Sequence, residues 1–326
     1  MWRKRNHSRK EKGYFIISVD VELAWGVCDK PINSVIRSAI DSERATIQRL
    51  LKIFSEFNIS ATWAVVGHLL LTECLWEGHV VHPEIARPVI KGSSSDWFFQ
   101  HPKSAVDACW YGTEIISQIC SIKPSQEIGS HSFAHMPYDE KRSNPAAVIS
   151  DVERAKQLHI NANLPFEVFI FPRNKVGFIN VLAKAGILVY RGNTRRWYDL
   201  APRICQRPLR LINYIMAVTP PTVMPTLDSY ELVNVPDSML LLSRNGLRRL
   251  VPSQNLIKMG IAGLNRAARN GEVFHLWFHP INFAYETYTQ FHILENILEH
   301  AQTLIKQEVI EVITLGGIGQ KARERN

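Results

Sequence analysis

Two histidine pairs share the same four-residue spacing: His131 and His135 in GSHSFAH, and His275 and His279 in FHLWFH. If the chain turns helically after the apolar run that precedes His131, residues four apart lie about 6 Å apart and can hold one ion. The second pair lies on a predicted strand, where the same spacing covers about 13 Å, too far to chelate one metal. The pattern therefore predicts a ligand pair at His131 and His135 and one useful histidine, His279.

Other polar groups follow predicted strands. Asp20 and Glu22 end SVDVE, and alternate residues of a strand face the same side, so both carboxylates can face one pocket. Arg173 follows FIFP, where a guanidinium can fix the orientation of a carboxylate. His279 can act as an acid near neutral pH. Each of these residues, taken singly, also fits a structural role, and their co-occurrence at strand ends is what indicates a site.

The elements that must position these residues alternate between strand and helix. From about residue 192 to 250 the alternation stops, and this Pro- and Arg-rich stretch is predicted to be a loop-rich insertion. The alternation predicts an α/β fold, either a parallel (β/α) barrel or a doubly wound sheet. Functional groups of a barrel gather where strands end and loops begin. Strands are predicted at YFIISVD (14–20), ISATWAVVG (59–67), QEIGS, FEVFIFP, ILVYRG, VFHLWFH (273–279) and VIEVITL, and the last two long helices at about 253–270 and 287–306.

Composition bounds the class of protein. The chain has 326 residues, 46% apolar and 21% charged, which is an ordinary balance for a globular domain. We expect one catalytic domain over residues 13–320 after a basic, flexible N-terminal arm at 1–12. No segment approaches the roughly 20 apolar residues needed to span a bilayer, and no signal-peptide pattern is present, so a cytoplasmic location is predicted. The five cysteines form no CxxC pair, which favours free thiols over disulfides or a zinc knuckle.

The net charge of +8 comes from three basic stretches: RKRNHSRKEK, residues 191–210 and residues 244–250. A phosphorylated substrate, an anionic membrane surface and a merely solvated face all fit this charge. No nucleic-acid-binding motif is present, so nucleic acid is not expected as a partner. Residues 209–226 mix apolar side chains with arginines and are predicted either to touch a membrane surface or to form an ordinary loop that caps the barrel.

The segments SVDVE, HSFAH, FPRN and LWFHP, in that order, resemble the sequence motifs of the polysaccharide deacetylases of carbohydrate esterase family 4, the NodB-like deacetylases. The likeness covers residues 14 to about 315. It implies a distorted (β/α) barrel and a hydrolase that removes the N-acetyl group from a sugar and releases acetate. The DVELAWG, FPRN and WFHP versions look closest to a bacterial branch of O-antigen and exopolysaccharide synthesis.

The resemblance also implies roles for single residues. His131, His135 and a first-motif carboxylate, Glu22, would bind a divalent metal, zinc by preference. Asp20 would be the base, steadied by Arg173, and His279 the acid. Because Val21 separates the carboxylates and Glu stands where the family has Asp, the division of roles between Asp20 and Glu22 stays open. A backbone N–H near Asn174 is expected to hold the oxyanion, and Asp199 is the candidate that orients the acid histidine.

Three functions remain open from the sequence. The first is the deacetylase, acting on a nucleotide-linked or lipid-phosphate-linked sugar whose phosphates the arginines of 191–210 would bind. The second is a small-amide or ureide C–N hydrolase that uses the same site. The third is a non-catalytic glycan-binding protein on the same fold.

Overall fold

The computed structural model describes residues 11–88, 96–100, 107–139, 141 and 143–324, so most of the predicted basic arm lies outside the described residues. Its strands are β1 (Gly13–Val21), β2 (Thr62–Val65), β3 (Trp76–Glu77), β4 (Val80–Val81), β5 (Glu127–Ser130), β6 (Val168–Ile170), β7 (Val189–Gly192), β8 (Thr226–Leu227), β9 (Val233–Pro236), β10 (Met239–Leu240), β11 (Val273–Phe278) and β12 (Ile310–Val312). Its helices are α1 (Ser34–Asp41), α2 (Glu43–Glu56), α3 (Thr113–Ser121), α4 (Pro145–Asn161), α5 (Ile179–Ala185), α6 (Arg203–Ile215), α7 (Ser253–Asn270), α8 (Thr287–Lys306) and α9 (Leu315–Glu324).

The main sheet closes on itself as a distorted barrel. Its strand order is β10-β11-β1-β2-β5-β6-β7-β9-β8, with β12 also paired to β1, and only the β8–β9 pair is antiparallel. β9 and β10 stand near opposite ends of this strand order, and only two residues, Asp237 and Ser238, connect them. The Asp237 N–H donates to the Gly192 carbonyl at 3.1 Å, and the Ser238 N–H donates to the His275 carbonyl at 2.9 Å. The expected barrel is confirmed, and the doubly wound alternative is excluded.

The barrel interior is apolar at one end and polar at the other. On β1, Tyr14 and Ile16 pack in the inner cluster with residues of β6, β7, β9 and α9. Further along the same face, Ser18 and Asp20 bond to Arg191 of β7, which is not a neighbour of β1 in the sheet. Such a contact crosses the barrel lumen. The alternation of side chains along one strand therefore turns an apolar core into a polar site at the carboxyl end.

Local sequence accounts for several helix boundaries. Asn144 caps α4 by accepting the Ala147 N–H at 2.8 Å, and Pro145 occupies the first turn, where its missing N–H costs nothing. Helix α5 ends at Gly186, whose φ of 98° suits glycine. Helices α7 and α8 span the predicted ranges 253–270 and 287–306. No helix of the described ranges is long and apolar enough to cross a membrane.

The stretch predicted as a loop-rich insertion contributes to the barrel itself. It contains α6 and three strands, of which β9 pairs with β7 and β10 pairs with β11. These strands were not recognised because each has four residues or fewer and Pro236 ends the longer one. Only their position between β7 and β11 makes them barrel strands.

Candidate active site

Asp20 is buried at the carboxyl end of β1 and is held by Arg191, not by the predicted Arg173. The two Arg191 amino groups donate to the two Asp20 oxygens at 2.8 and 2.6 Å. Burial raises the pKa of Asp20, but the Arg191, His131 and His279 charges outweigh it, so the pKa lies below the ordinary value. Asp20 is therefore a carboxylate at neutral pH.

Arg173 has a different partner. Its guanidinium donates to both Asp29 oxygens at 2.8 and 2.6 Å, and both side chains are a quarter exposed. The predicted contact with Asp20 was wrong because Arg191, one residue before the end of β7, reaches Asp20 from the inner face of the barrel. Arg191 was assigned to a phosphate-binding basic stretch, yet it is only 2% exposed.

His131 and His135 lie on a loop after β5, not on a helix as the spacing argument assumed. Their ring centroids are 5.1 Å apart nonetheless. The loop brings the rings together because Ser132 and His135 adopt positive φ angles of 65° and 53°. Such conformations persist only where surrounding contacts hold them.

Asp151 of α4 supplies those contacts. Its carboxylate accepts the backbone N–H groups of Phe133 at 2.9 Å and Ala134 at 3.0 Å, and the Tyr138 hydroxyl at 2.8 Å. Complete burial raises the pKa of Asp151 to about 6, against the lowering effect of these hydrogen bonds. Sequence reasoning missed Asp151 because a single Asp inside a helix carries no local signal.

Glu22 lies at the centre of the site. Its Oε1 is 3.0 Å from Nε2 of His131, 3.0 Å from Nε2 of His135 and 3.3 Å from Nε2 of His279. Burial raises the pKa of Glu22, but the His135 and His279 charges and the hydrogen bond with His131 outweigh it and hold the pKa well below the ordinary value. Gly26 makes room for this carboxylate, since a Cβ there would lie 2.2 Å from Glu22 Oε2.

His279 follows β11 and lies between the two carboxylates. Its Nε2 is 3.7 Å from Asp20 Oδ2, in addition to the 3.3 Å approach to Glu22. Burial opposes the charge on this imidazole, but Glu22 and Asp20 outweigh burial and raise its pKa to about 9. The ring is therefore protonated at neutral pH and can donate a proton.

His275 plays a different part, as the strand geometry predicted. It lies inside the barrel, with Nε2 2.8 Å from Ser18 Oγ and Nδ1 3.3 Å from the Pro236 carbonyl. Burial, assisted by the Arg191 charge, lowers its pKa to about 3. The neutral His275 ring is thus hydrogen-bonded to Ser18, which in turn bonds to Arg191 beside Asp20.

Two expected supporting groups lie elsewhere. The Asn174 backbone N–H donates to the Phe171 carbonyl at 3.0 Å, so it is already engaged, although the Asn174 side chain accepts from Arg191 at 2.9 Å. Asp199 accepts the Arg196 N–H at 2.7 Å and caps a turn. Trp277 instead packs edge-on against the His279 ring, with centroids 5.5 Å apart.

The donor set of the site fits a divalent metal. Glu22, His131 and His135 each offer a ligand atom, and these atoms lie within 4.8 Å of one another. His131 Nδ1 pairs with the Ile170 carbonyl at 2.8 Å, which leaves Nε2 for a ligand bond. His135 Nε2 faces Glu22 Oε1 at 3.0 Å, and its Nδ1 is buried without a hydrogen bond in the described part of the chain. Two imidazoles and a carboxylate are a common zinc-binding set.

No protein-family model and no curated protein matches this sequence. Solved structures do match. A protein described as "putative polysaccharide deacetylase from Mycobacterium smegmatis" superimposes with a TM-score of 0.63 at 15% identity, covering 98% of this chain and 93% of that one. The chain has the polysaccharide deacetylase fold. A "probable polysaccharide deacetylase from Pseudomonas aeruginosa PAO1" gives a TM-score of 0.59 at 10% identity, with 95% and 91% coverage. A Puue allantoinase gives 0.56 at 11% identity, with 95% and 90% coverage.

Proposed function

We propose that this protein is a metal-dependent hydrolase that removes the N-acetyl group from an N-acetylated sugar and releases acetate. The observation that carries the proposal is the position of Glu22 Oε1, 3.0 Å from Nε2 of both His131 and His135. Asp20 and His279 lie beside this group at the carboxyl end of the barrel. The fold is one that polysaccharide deacetylases use.

Glu22, His131 and His135 would hold the metal, with zinc as the preferred ion. When bound, the ion supplies a Lewis acid and lowers the pKa of water. Two contacts support giving the metal to Glu22 and the base role to Asp20: Glu22 faces both imidazoles, whereas Asp20 faces Arg191.

Asp20, ionised and oriented by Arg191, is the general base that takes a proton from the attacking water. The water oxygen forms a bond to the acetyl carbon while the C–N bond breaks. His279, which is protonated at neutral pH, gives its proton to the departing sugar nitrogen. The products are acetate and a free amine. Asp20 releases the proton that it took from water, acetic acid loses its own proton, and His279 regains a proton, all by exchange with solvent.

Acetate release from a panel of N-acetylated sugars tests this proposal. We expect His131→Ala to lose the zinc of the Glu22 site, and Asp20→Asn and His279→Ala to lower kcat/KM by about 10²- to 10⁴-fold. His292→Ala, on the outer surface of α8, is the matched control and should leave the rate unchanged. If zinc-loaded protein binds N-acetylated sugars but releases no acetate, the non-catalytic glycan-binding function replaces this one.

The similarity to an allantoinase supports a second candidate, hydrolysis of a small cyclic amide or ureide at the same site. The same residues would activate water and protonate the leaving nitrogen. Parallel assays with sugar acetamides and small cyclic ureides separate the two functions by their kcat/KM values.

The substrate we propose is a nucleotide- or lipid-phosphate-linked sugar, in line with the predicted cytoplasmic location and surface-polysaccharide pathway. A cavity of about 550 Å³ extends from Trp277, next to His279, and is lined by Arg195 and Arg210. Arg207 and Arg210 line an adjoining cavity. Guanidinium groups bind phosphate oxygens well.

Charge reversal tests this substrate class. The triple variant Arg195→Glu, Arg207→Glu and Arg210→Glu should raise KM for a phosphate-linked sugar by tenfold or more, since one charge-assisted hydrogen bond contributes about 1.5–3 kcal/mol. KM for the sugar without phosphate should not change. The matched control reverses Lys52, Arg269 and Lys306, which are exposed on other helices. Equal effects of both triples would contradict a phosphate site.

We propose that the surface around α6 contacts an anionic membrane, a modification of the contact predicted for 209–226. Ile204 of α6 is 84% exposed, and Leu247 in the turn after β10 is 73% exposed. Burial lowers the pKa of the Arg248 guanidinium, and the charge of nearby Arg210 on α6 lowers it further. Apolar side chains flanked by arginines fit the headgroup region of an anionic bilayer.

Flotation with anionic and neutral vesicles tests this contact. We expect association with anionic vesicles at low salt and its loss in the double variant Ile204→Glu and Leu247→Glu. Tyr288→Glu, at a position 79% exposed on α8, is the control. Absence of flotation at low salt would rule the contact out.

A further inference from the structure

A second group of metal-ligand side chains lies apart from the Glu22 site. His68, Cys74 and His82 each offer one ligand atom, and these atoms lie within 4.8 Å of one another. His68 follows β2, Cys74 lies in the turn before β3, and His82 follows β4. Both histidines are completely buried, whereas Cys74 is partly exposed. None of the three residues belongs to the site described above.

The outer hydrogen bonds of the two histidines are those expected of metal ligands. His68 Nδ1 lies 2.9 Å from the Trp110 carbonyl, so Nδ1 carries the proton, and Nε2 is the nitrogen that faces Cys74 Sγ, at 3.1 Å. His82 Nδ1 lies 3.2 Å from Glu84 Oε1. Metal-binding histidines commonly donate one ring N–H to a carbonyl or carboxylate, which directs the other nitrogen to the ion. Here the partner of His68 is a carbonyl, and the partner of His82 is a carboxylate.

The separations suit three of the four ligands of a tetrahedral zinc ion, and the fourth position is left to water. With bonds of about 2.3 Å to sulfur and 2.0–2.1 Å to nitrogen, ligand atoms lie about 3.5 Å apart. His68 Nε2 is 3.1 Å from Cys74 Sγ, and all three ligand atoms fall within the 4.8 Å limit. Thiolate and imidazole ligands favour zinc over calcium or magnesium, which prefer oxygen. The Tyr111 hydroxyl, 2.9 Å from Sγ, can donate a hydrogen bond to the thiolate.

The position of His68, Cys74 and His82 would give a bound ion a structural role. The His68 N–H donates to the Phe133 carbonyl at 2.9 Å, and the His82 ring packs against the Phe133 ring with centroids 5.1 Å apart. Phe133 lies between His131 and His135 on the loop that carries them. His82 itself has a positive φ of 48°, like His135. An ion that fixes residues 68–82 would therefore also stabilise the loop that carries His131 and His135.

We propose that His68, Cys74 and His82 form a second, structural zinc site that fixes residues 68–82 against the His131–His135 loop. The site modifies the sequence-based expectation that all the cysteines are free thiols. It does not depend on the deacetylase activity, because it shares no residue with the Glu22 site. Without a metal, burial raises the pKa of the Cys74 thiol to about 11, and the same residues would form a neutral hydrogen-bonded chain. The experiment must separate these two states.

Cobalt substitution separates them, because a thiolate bound to Co²⁺ gives a charge-transfer absorption in the near ultraviolet and the Glu22 site has no sulfur. We expect this absorption in the wild type and in His131→Ala, and its loss in Cys74→Ser. Zinc content should fall by one equivalent per chain in Cys74→Ser and by the other equivalent in His131→Ala. Cys120→Ser, at an exposed free cysteine, is the matched control and should change neither quantity.

The wild-type spectrum decides the question even if Cys74→Ser fails to fold. A Co²⁺-loaded wild type without charge-transfer absorption, or a zinc content that His131→Ala alone reduces to zero, would overturn the second site. Failure of the deacetylase proposal looks different, since it removes acetate release and leaves this absorption in place.

Discussion

Gly26 determines whether the Glu22 carboxylate can face the two histidines. A Cβ at position 26 would lie 2.2 Å from Glu22 Oε2, so Gly26→Ala must displace that carboxylate. We expect zinc affinity at this site to fall by about 10- to 100-fold, the range seen when the support of a ligand is removed. Competition with a chromophoric chelator measures it.

Gly112→Ala is the control for the loss of glycine itself. The nearest atoms to its added Cβ belong to the Ile115 tip at 3.3 Å and to Leu69 Cβ at 3.5 Å, and none of them belongs to Glu22, His131 or His135. Zinc affinity should stay unchanged there. If Gly26→Ala retains wild-type affinity, Glu22 is not a metal ligand.

The Arg191–Asp20 pair couples stability and activity to pH. Asp20 has a lowered pKa, so its ion pair stabilises the fold above the ordinary carboxyl pKa near 3.9, and that stability is lost as the pH falls below it. Arg191→Met leaves a buried, unpaired carboxyl, which should lower the free energy of unfolding by about 3–5 kcal/mol at pH 7. The pKa of Asp20 then rises, and the acid limb of the activity profile should move to higher pH.

Urea unfolding and the pH dependence of kcat/KM measure the two effects. Arg173→Met is the comparison, because it breaks a pair whose side chains are a quarter exposed, and should cost about 1 kcal/mol or less. The acid limb should not move in that variant. A larger shift for Arg173→Met than for Arg191→Met would mean that the two arginines have been assigned the wrong way round.

At the scale of elements, strand ends were predictable and partners across the barrel were not. Asp20, Glu22 and His279 were found because each ends an apolar run, a pattern that is local in sequence. The choice between Arg173 and Arg191 depends on which strand faces β1 across the lumen, and no local pattern contains that information. The same limit hid β9 and β10, whose short sequences become strands only through pairing with β7 and β11.

The contact between α4 and the histidine loop can be tested by itself. Asp151→Asn keeps the size of the side chain but replaces one acceptor oxygen by a donor, which faces the Tyr138 hydroxyl or a backbone N–H of the loop. We expect the free energy of unfolding to fall by about 1–3 kcal/mol and zinc affinity to fall with it. Glu153→Gln, on the exposed face of α4, is the control for both measurements. Unchanged zinc affinity in Asp151→Asn would mean that the loop holds its positive φ angles without α4.

At the scale of the molecule, Asp237 contributes both to the closure of the barrel and to the orientation of the acid histidine, His279. Asp237, in the two-residue link between β9 and β10, accepts the Thr194 N–H at 2.9 Å, the Arg196 guanidinium at 2.9 Å and the Trp277 indole N–H at 3.1 Å. Trp277 in turn packs on His279 and under Arg191, whose guanidinium carbon lies 4.3 Å from the indole centroid. A local change at Asp237 should therefore affect both the whole barrel and the site.

Asp237→Ala removes both carboxylate oxygens and with them all three hydrogen bonds, so the three donors lose their acceptor. We expect the free energy of unfolding to fall by about 2–4 kcal/mol, in a single transition, because the link joins the two sides of the one sheet.

Loss of the Trp277 anchor should also lower kcat more than it raises KM, since His279 loses its packing partner while the arginine-lined cavity keeps most of its lining. Unfolding followed by circular dichroism and by tryptophan fluorescence should give coincident curves. Asp199→Ala, which removes a turn cap and leaves Trp277 and His279 in place, should cost about 1 kcal/mol and leave kcat unchanged. Two separated transitions in Asp237→Ala would mean that the sheet is held closed elsewhere.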